Sequence, residues 1–203
     1  MNKIFTKYTY LTLFAPLLLV AQLFIPVNVF AGEHYANFND NGELVRPTGY
    51  REWIFIGAPL TPNDMNNGKA AFPEFHNVYI DPESWKHWKQ TGEFRDGTVI
   101  VKELVSVGTK SSSSGKGYFM GGYIGLETVV KDKHRFPKKD NYWGFFRFTT
   151  DDHKKLLKGS KVMASQSCAA CHTENAKQDG IFTQHYPVLR AAKSKGEQGI
   201  GGK

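Results

Sequence analysis

The sequence predicts an α+β domain: an antiparallel β-sheet with helices packed on one side, ending in a short helical segment that carries a Cys-x-x-Cys-His motif. Three observations carry this. Short apolar runs, rich in β-branched and aromatic residues and bounded by Gly, Pro, Asn or Asp, recur between Glu52 and Thr149. One capped helical pattern interrupts them, and beyond Thr150 the chain turns to helix formers. No repeat of fixed period is visible, which removes solenoids and propellers.

The strand candidates are EWIFIG at 52–57, HNVYID at 76–81, TVIVKELVSV at 98–107, GYIGLETVV at 122–130 and NYWGFFRFT at 141–149. Between the second and third, DPESWKHWKQTG offers Asp81 as cap, Pro82 at the first helical position and Gly92 past the last turn. A helix over roughly 82–90 follows, with Trp85 and Trp88 on one face. The stretch TKSSSSGKG at 109–117 has nothing to bury and reads as a mobile hairpin loop. In DDHKKLLKGSKVMASQ a pair of aspartates opens a run of helix formers, so one or two short helices are expected before CAACH. The tail over 191–203 is Gly-rich, almost without apolar content, and expected to be flexible.

Residues 1–31 stand apart. Lys3 and Lys7 lead into an apolar run that contains no acidic residue and ends in Val29-Phe30-Ala31, the layout of a secretion signal cleaved after Ala31. Such a run is long enough to anchor a chain, since about 20 apolar residues span a bilayer. Pro16, Pro26 and the cleavage-like end favour removal, which leaves one domain over 32–203 and no stable membrane span. The net charge of +7 is spread without dense Lys/Arg tracts, so a nucleic-acid binder is not expected. The two cysteines are too close together to build a disulfide framework across the fold.

Those cysteines carry the chemistry. In Cys168-Ala-Ala-Cys171-His172 two thiols three residues apart can add to the two vinyl groups of one haem, while the adjacent imidazole is delivered to the iron. A redox dithiol or half a zinc site also uses Cys-x-x-Cys, but the first lacks its βαβ context and the second lacks another cysteine pair. One haem c per chain is expected, held by Cys168 and Cys171 with His172 as axial ligand. Whether a second protein ligand closes the sixth iron position separates a carrier from a catalyst or gas binder. Met65, Met120, Met163, His34, His76, His87, His134, His153 and His185 are the formal candidates, and none stands out by sequence. Met163 lies too near the attachment to reach the distal side. The C-terminal position of the motif is the reverse of the order in small class-I carriers.

Alternation in TVIVKELVSV puts Ile100, Lys102 and Leu104 on one face and Val101, Glu103 and Val105 on the other. A lysine between aliphatic residues of a central strand is costly unless its ammonium reaches water, an anion or a reactive partner. In GYIGLETVV, Glu127 shares a face with Tyr123, Gly125 and Val129, and a salt bridge to such a lysine would account for it.

Over nearly the whole of residues 32–203 the sequence resembles the cytochrome P-460 family, periplasmic haem proteins of ammonia- and methane-oxidising bacteria. The likeness runs through YREW, DPESW, HWKQTGEFRDGT, VKELVSVG, GYFMGGYIGLE, CAACHTENAK and YPVLRAA. The resemblance implies a homodimer that oxidises hydroxylamine, with nitric oxide as a second nitrogen ligand and nitrous oxide as a product, passing electrons to a soluble cytochrome c-type acceptor. It further implies a lysine joined covalently to the porphyrin, at the position of Lys102, and a proton-accepting distal carboxylate, at the position of Glu127. His76 stands where relatives carry a different basic pocket residue, and a surface role suits it equally. Sheet-based relatives of the cytochromes c′ form the alternative: they have an apolar pocket and no lysine link, and bind nitric oxide without oxidising hydroxylamine.

Overall fold

The computed structural model describes residues 34–193; the expected secretion signal and residues 194–203 of the tail lie outside them. The apolar runs form five antiparallel strands in the order β2-β3-β4-β7-β8, where β2 is Ile54–Gly57, β3 Phe75–Ile80, β4 Val99–Val107, β7 Met120–Lys131 and β8 Trp143–Arg147. Each strand pairs with its neighbour in sequence, so the sheet is a simple meander with β4 at its centre. Short pairs complete the strands: β1 (Leu44–Val45) with β9 (Gly159–Ser160), and β5 (Ser111–Ser112) with β6 (Gly115–Lys116), the latter making the expected hairpin at 109–117.

Helix α1 spans Pro82–Thr91. The side chain of Asp81 accepts the amide of Ser84, Pro82 occupies the first turn, and Gly92 ends the helix with φ +70°. Asp81 has no exposed surface, and its second oxygen accepts the amide of Val99 at 2.8 Å, so one carboxylate caps the helix and opens strand β4. Near the C-terminus come α2 (Ala169–Asn175) and α3 (Pro187–Lys193), the latter absorbing the start of the expected flexible tail.

Alternation gives the sheet two apolar faces, and both are covered. On one, Ile56, Val78, Ile80, Ile100, Trp143 and Phe145 pack with Trp88 of α1, Ala169 of α2 and Leu189 of α3. Trp88 donates its indole N–H to the carbonyl of Leu189 at 2.9 Å, pinning α1 to α3. On the other face Val99, Val101, Leu126, Val130, Phe146 and Phe148 pack beneath the N-terminal segment carrying Tyr35, Phe38, Leu44 and Tyr50. The helices therefore lie on one side, as expected.

Two expectations need correction. Residues 150–166 contain no helix. The amide of Leu157 donates to Phe148, Leu156 bridges Thr149, and the Thr150 hydroxyl serves Asp152 and Lys155 within a loop that turns at His153, φ +55°. Polar side chains that satisfy loop amides compete with helix, and the extended path lets Leu156 reach the second core and Gly159–Ser160 pair with β1. Tyr123 also leaves the face assigned to it. A register shift between Leu104 and Val105 turns β7 over, and Tyr123 lies under the Arg51 guanidinium on the side opposite Glu127.

Asp81→Ala removes the cap of α1 and strands the Val99 amide, so it should destabilise the protein by about 3 kcal/mol in urea titrations, with Asp81→Asn milder. Burial pushes the Tyr186 phenol up to about 12. The unfolded chain releases that proton near 10, so the native state loses stability as pH climbs from about 10 to about 12, by roughly 3 kcal/mol. Tyr186→Phe should flatten that fall in alkaline unfolding curves.

Candidate haem site

The motif sits on a short helix at the edge of the first core. Cys168 caps α2, and Cys171 and His172 follow at three and four residues, which brings the three side chains to one side of the helix. Both thiols are free; Cys171 is exposed, while Cys168 is half-buried with its sulfur 3.7 Å from that of Met163. Burial, with the charge of Glu127 adding to it, pushes the Cys168 thiol up.

His172 is held on three sides. Its ring lies between Phe145 of β8 and Phe182, with centroids 4.6 and 4.7 Å away. Its Nδ1 is 2.8 Å from the carbonyl oxygen of Gly180. A carbonyl only accepts, so Nδ1 carries the proton and the lone pair sits on Nε2. Burial is the main cause that holds the His172 imidazolium below its ordinary range, with Lys102 lowering it further and the Gly180 bond and Glu127 opposing. A neutral imidazole with a free Nε2, four residues from one thiol and adjacent to another, is the donor set that a c-type haem needs.

The same face of the sheet carries the other candidates. Strand register places Val78, Lys102, Glu127 and Arg147 in one row across β3, β4, β7 and β8. The neighbouring row holds Ile80, Ile100, Val129 and Phe145, two residues along each strand and so about 7 Å away. Phe145 is the ring against His172, and the charges of Lys102 and Glu127 are felt at both His172 and Cys168. Lys102 Nζ lies 2.6 Å from Glu127 Oε2, the salt bridge foreseen from sequence, with each side chain about a quarter exposed. The ammonium also lies 5.0 Å from the ring centre of Phe72.

His76 pairs with Leu104 across β3 and β4, so it shares this face with Lys102. Its Nε2 is buried without a hydrogen bond, and the nearest carboxylate, Glu74, is 3.6 Å away, within ion-pair reach only. Phe72 packs edge-on to it at 5.9 Å. Burial tends to raise the Glu74 carboxyl, but His76, its own backbone and Lys102 together leave it below its ordinary range. With Glu74 in ion-pair reach, this buried ring nitrogen adds a polar group to the face shared by Lys102 and Glu127.

The remaining candidates for the sixth iron position lie elsewhere. Met65 is 74% exposed, Met120 sits beside Asn77 on the opposite face, and His34, His134, His153 and His185 are exposed. His87 is partly exposed on α1. Met163 stays at the attachment. Among the described residues no group of three or more His, Cys, Asp and Glu could hold a metal ion by itself.

Sequence reading missed Phe72, Arg147, Phe182 and Gly180. Only Arg147 had a legible signal, because alternation in NYWGFFRFT sets it on the face of Trp143 and Phe145. It also missed the partners of Glu103. On the opposite face that carboxylate, 4% exposed, accepts from Tyr50 at 2.9 Å, Arg51 at 2.7 Å and Asn77 at 3.3 Å. Burial, Tyr123 and Glu103 raise the Tyr50 phenol well above its ordinary range.

An antiparallel sheet with a C-terminal Cys-x-x-Cys-His helix docked on it defines a c-type haem protein. A family model, cytochrome P-460, matches residues 47–183, and the chain belongs to that family. No curated protein matches the chain.

Proposed function

We propose that the protein oxidises hydroxylamine at a haem held by Cys168 and Cys171, with His172 as proximal ligand and Lys102 joined to the macrocycle. The observation that carries this is the placement of Lys102 and Glu127, 2.6 Å apart on the sheet face against which His172 packs. When bound, the haem would supply a redox-active iron able to accept the substrate's electrons.

The chain's own groups supply the rest. His172 would hold the iron through Nε2, with its ring fixed by Phe145 and Phe182. As an ammonium, Lys102 pairs with Glu127; joined through its nitrogen to the macrocycle, it would no longer be a cation, and Glu127 would be free of that pairing. Glu127 then acts as the general base that takes protons from hydroxylamine, with Arg147 opposite it in the same row of the sheet. His76 and Glu74 offer a second polar contact at the same face. Phe72 sets an apolar ring against both Lys102 and His76.

The product is nitrous oxide, with nitric oxide as a second ligand, and the electrons pass to a soluble cytochrome c-type acceptor. The signal-like pattern of residues 1–31 and the Cys-x-x-Cys-His motif support export to the periplasm. The family resemblance supports a homodimer, for which half-exposed Phe55, Met120 and Tyr123 provide apolar surface.

Anaerobic turnover of hydroxylamine with a chemical electron acceptor, followed by nitrous oxide release, tests this reading. Lys102→Leu should keep the haem and lose nearly all turnover; full retained activity would remove the lysine from the chemistry and favour a nitric-oxide-binding protein. Glu127→Ala should keep haem content and slow turnover about 100-fold or more, in line with loss of a general base. An unchanged rate would make Glu127 a structural partner of Lys102.

A further inference from the structure

The Gly180 carbonyl that accepts the Nδ1–H of His172 belongs to no helix or strand. It lies in a tight turn closed by the amide of Ile181 on the carbonyl of Gln178 at 2.8 Å, with Asp179 at φ +51° and Gly180 at φ +73°. Asp-Gly is a pair that accepts the left-handed region at both positions, so the turn forms readily and what its surroundings decide is where its carbonyl stands.

Lys131, the last residue of β7, anchors the turn in place. Its side chain is 7% exposed; Nζ forms an ion pair with Asp179, donates to the carbonyl of Asn141 at 3.3 Å and lies 5.1 Å from the ring centre of Trp143. Trp143 in turn donates its indole N–H to the carbonyl of Asp179 at 2.7 Å. Asn141 and Tyr142 are themselves left-handed, at φ +53° and +63°. Two loops from distant parts of the chain thus meet on one buried ammonium, and one of them delivers the acceptor for His172. A buried cation is retained at a cost in desolvation, and neither haem attachment nor proton removal uses this one.

We propose that Lys131 and Asp179 are positioning residues for the proximal ligand: by bracing the turn, they set how strongly the Gly180 carbonyl accepts from His172 Nδ1. This rests on His172 as the proximal ligand. A strong Nδ1–H···O bond makes Nε2 a better electron donor, which stabilises ferric iron and lowers the reduction potential. Loosening the turn weakens that bond and raises the potential.

The test uses the full-length holoprotein and two readouts, the haem midpoint potential and the iron–histidine stretching band in resonance Raman spectra of the ferrous form. Lys131→Met and Asp179→Asn should both raise the potential and move the band to lower wavenumber, and the double variant should match the singles because both remove the same brace. Asparagine tolerates the left-handed region, so Asp179→Asn leaves the turn's backbone permitted and carries the test alone if Lys131→Met does not fold. Charge acting through space gives a different pattern: loss of the cation lowers the potential, loss of the anion raises it, the double variant cancels them and the band stays put. That pattern, or an unmoved band in Asp179→Asn, overturns the proposal. An iron–histidine band that survives in His172→Ala holoprotein would instead overturn the ligand assignment beneath it.

Discussion

The fold is organised around a contradiction on its central strand: β4 is buried on both faces, yet carries Lys102 on one and Glu103 on the other. A sheet sandwiched between two apolar cores admits charge only where partners come with it. Glu103 has Tyr50, Arg51 and Asn77, and that network ties the N-terminal segment to the back of the sheet. Lys102 has Glu127 across the strand pair, at the edge of the first core where α2 and His172 dock. Glu103 is almost fully enclosed, whereas Lys102 and Glu127 each keep about a quarter of the side chain exposed.

The two sides of the site are built differently. The attachment side is local, since Cys168, Cys171 and His172 come from a single short helix. Its precision is borrowed from far away, through Phe145 in the sheet and a turn braced by the end of β7. The other side is non-local throughout: Phe72 and Glu74 lie between β2 and β3, and His76, Lys102, Glu127 and Arg147 come one from each of four successive strands. Strand register alone aligns them, so a one-residue slip at β4 or β7 would send Lys102 or Glu127 to the wrong face.

Much of this was legible in the sequence. Short alternating runs named all five strands of the main sheet, and Asp81, Pro82 and Gly92 bounded α1. CAACH named its own chemistry, and alternation put Lys102 and Glu127 on strand faces where a charge needs an explanation. What failed did so for tertiary reasons. The helix formers after Thr150 were overridden by pairing to Phe148 and β1, and the bulge that turns Tyr123 away has no signature in local composition. The partners of Glu103 and the Lys131–Asp179 brace join residues dozens of positions apart, so periodicity carries no trace of them.

The central claim is that Lys102 and the helix bearing His172 hold one haem from two sides. Mass spectrometry of a protease digest of the holoprotein tests it most directly. The account predicts a haem-bearing species in which the Cys168–Cys171 peptide and the peptide containing Lys102 travel together through the macrocycle. Haem found on the Cys168–Cys171 peptide alone, with the Lys102 peptide recovered unmodified, would contradict it.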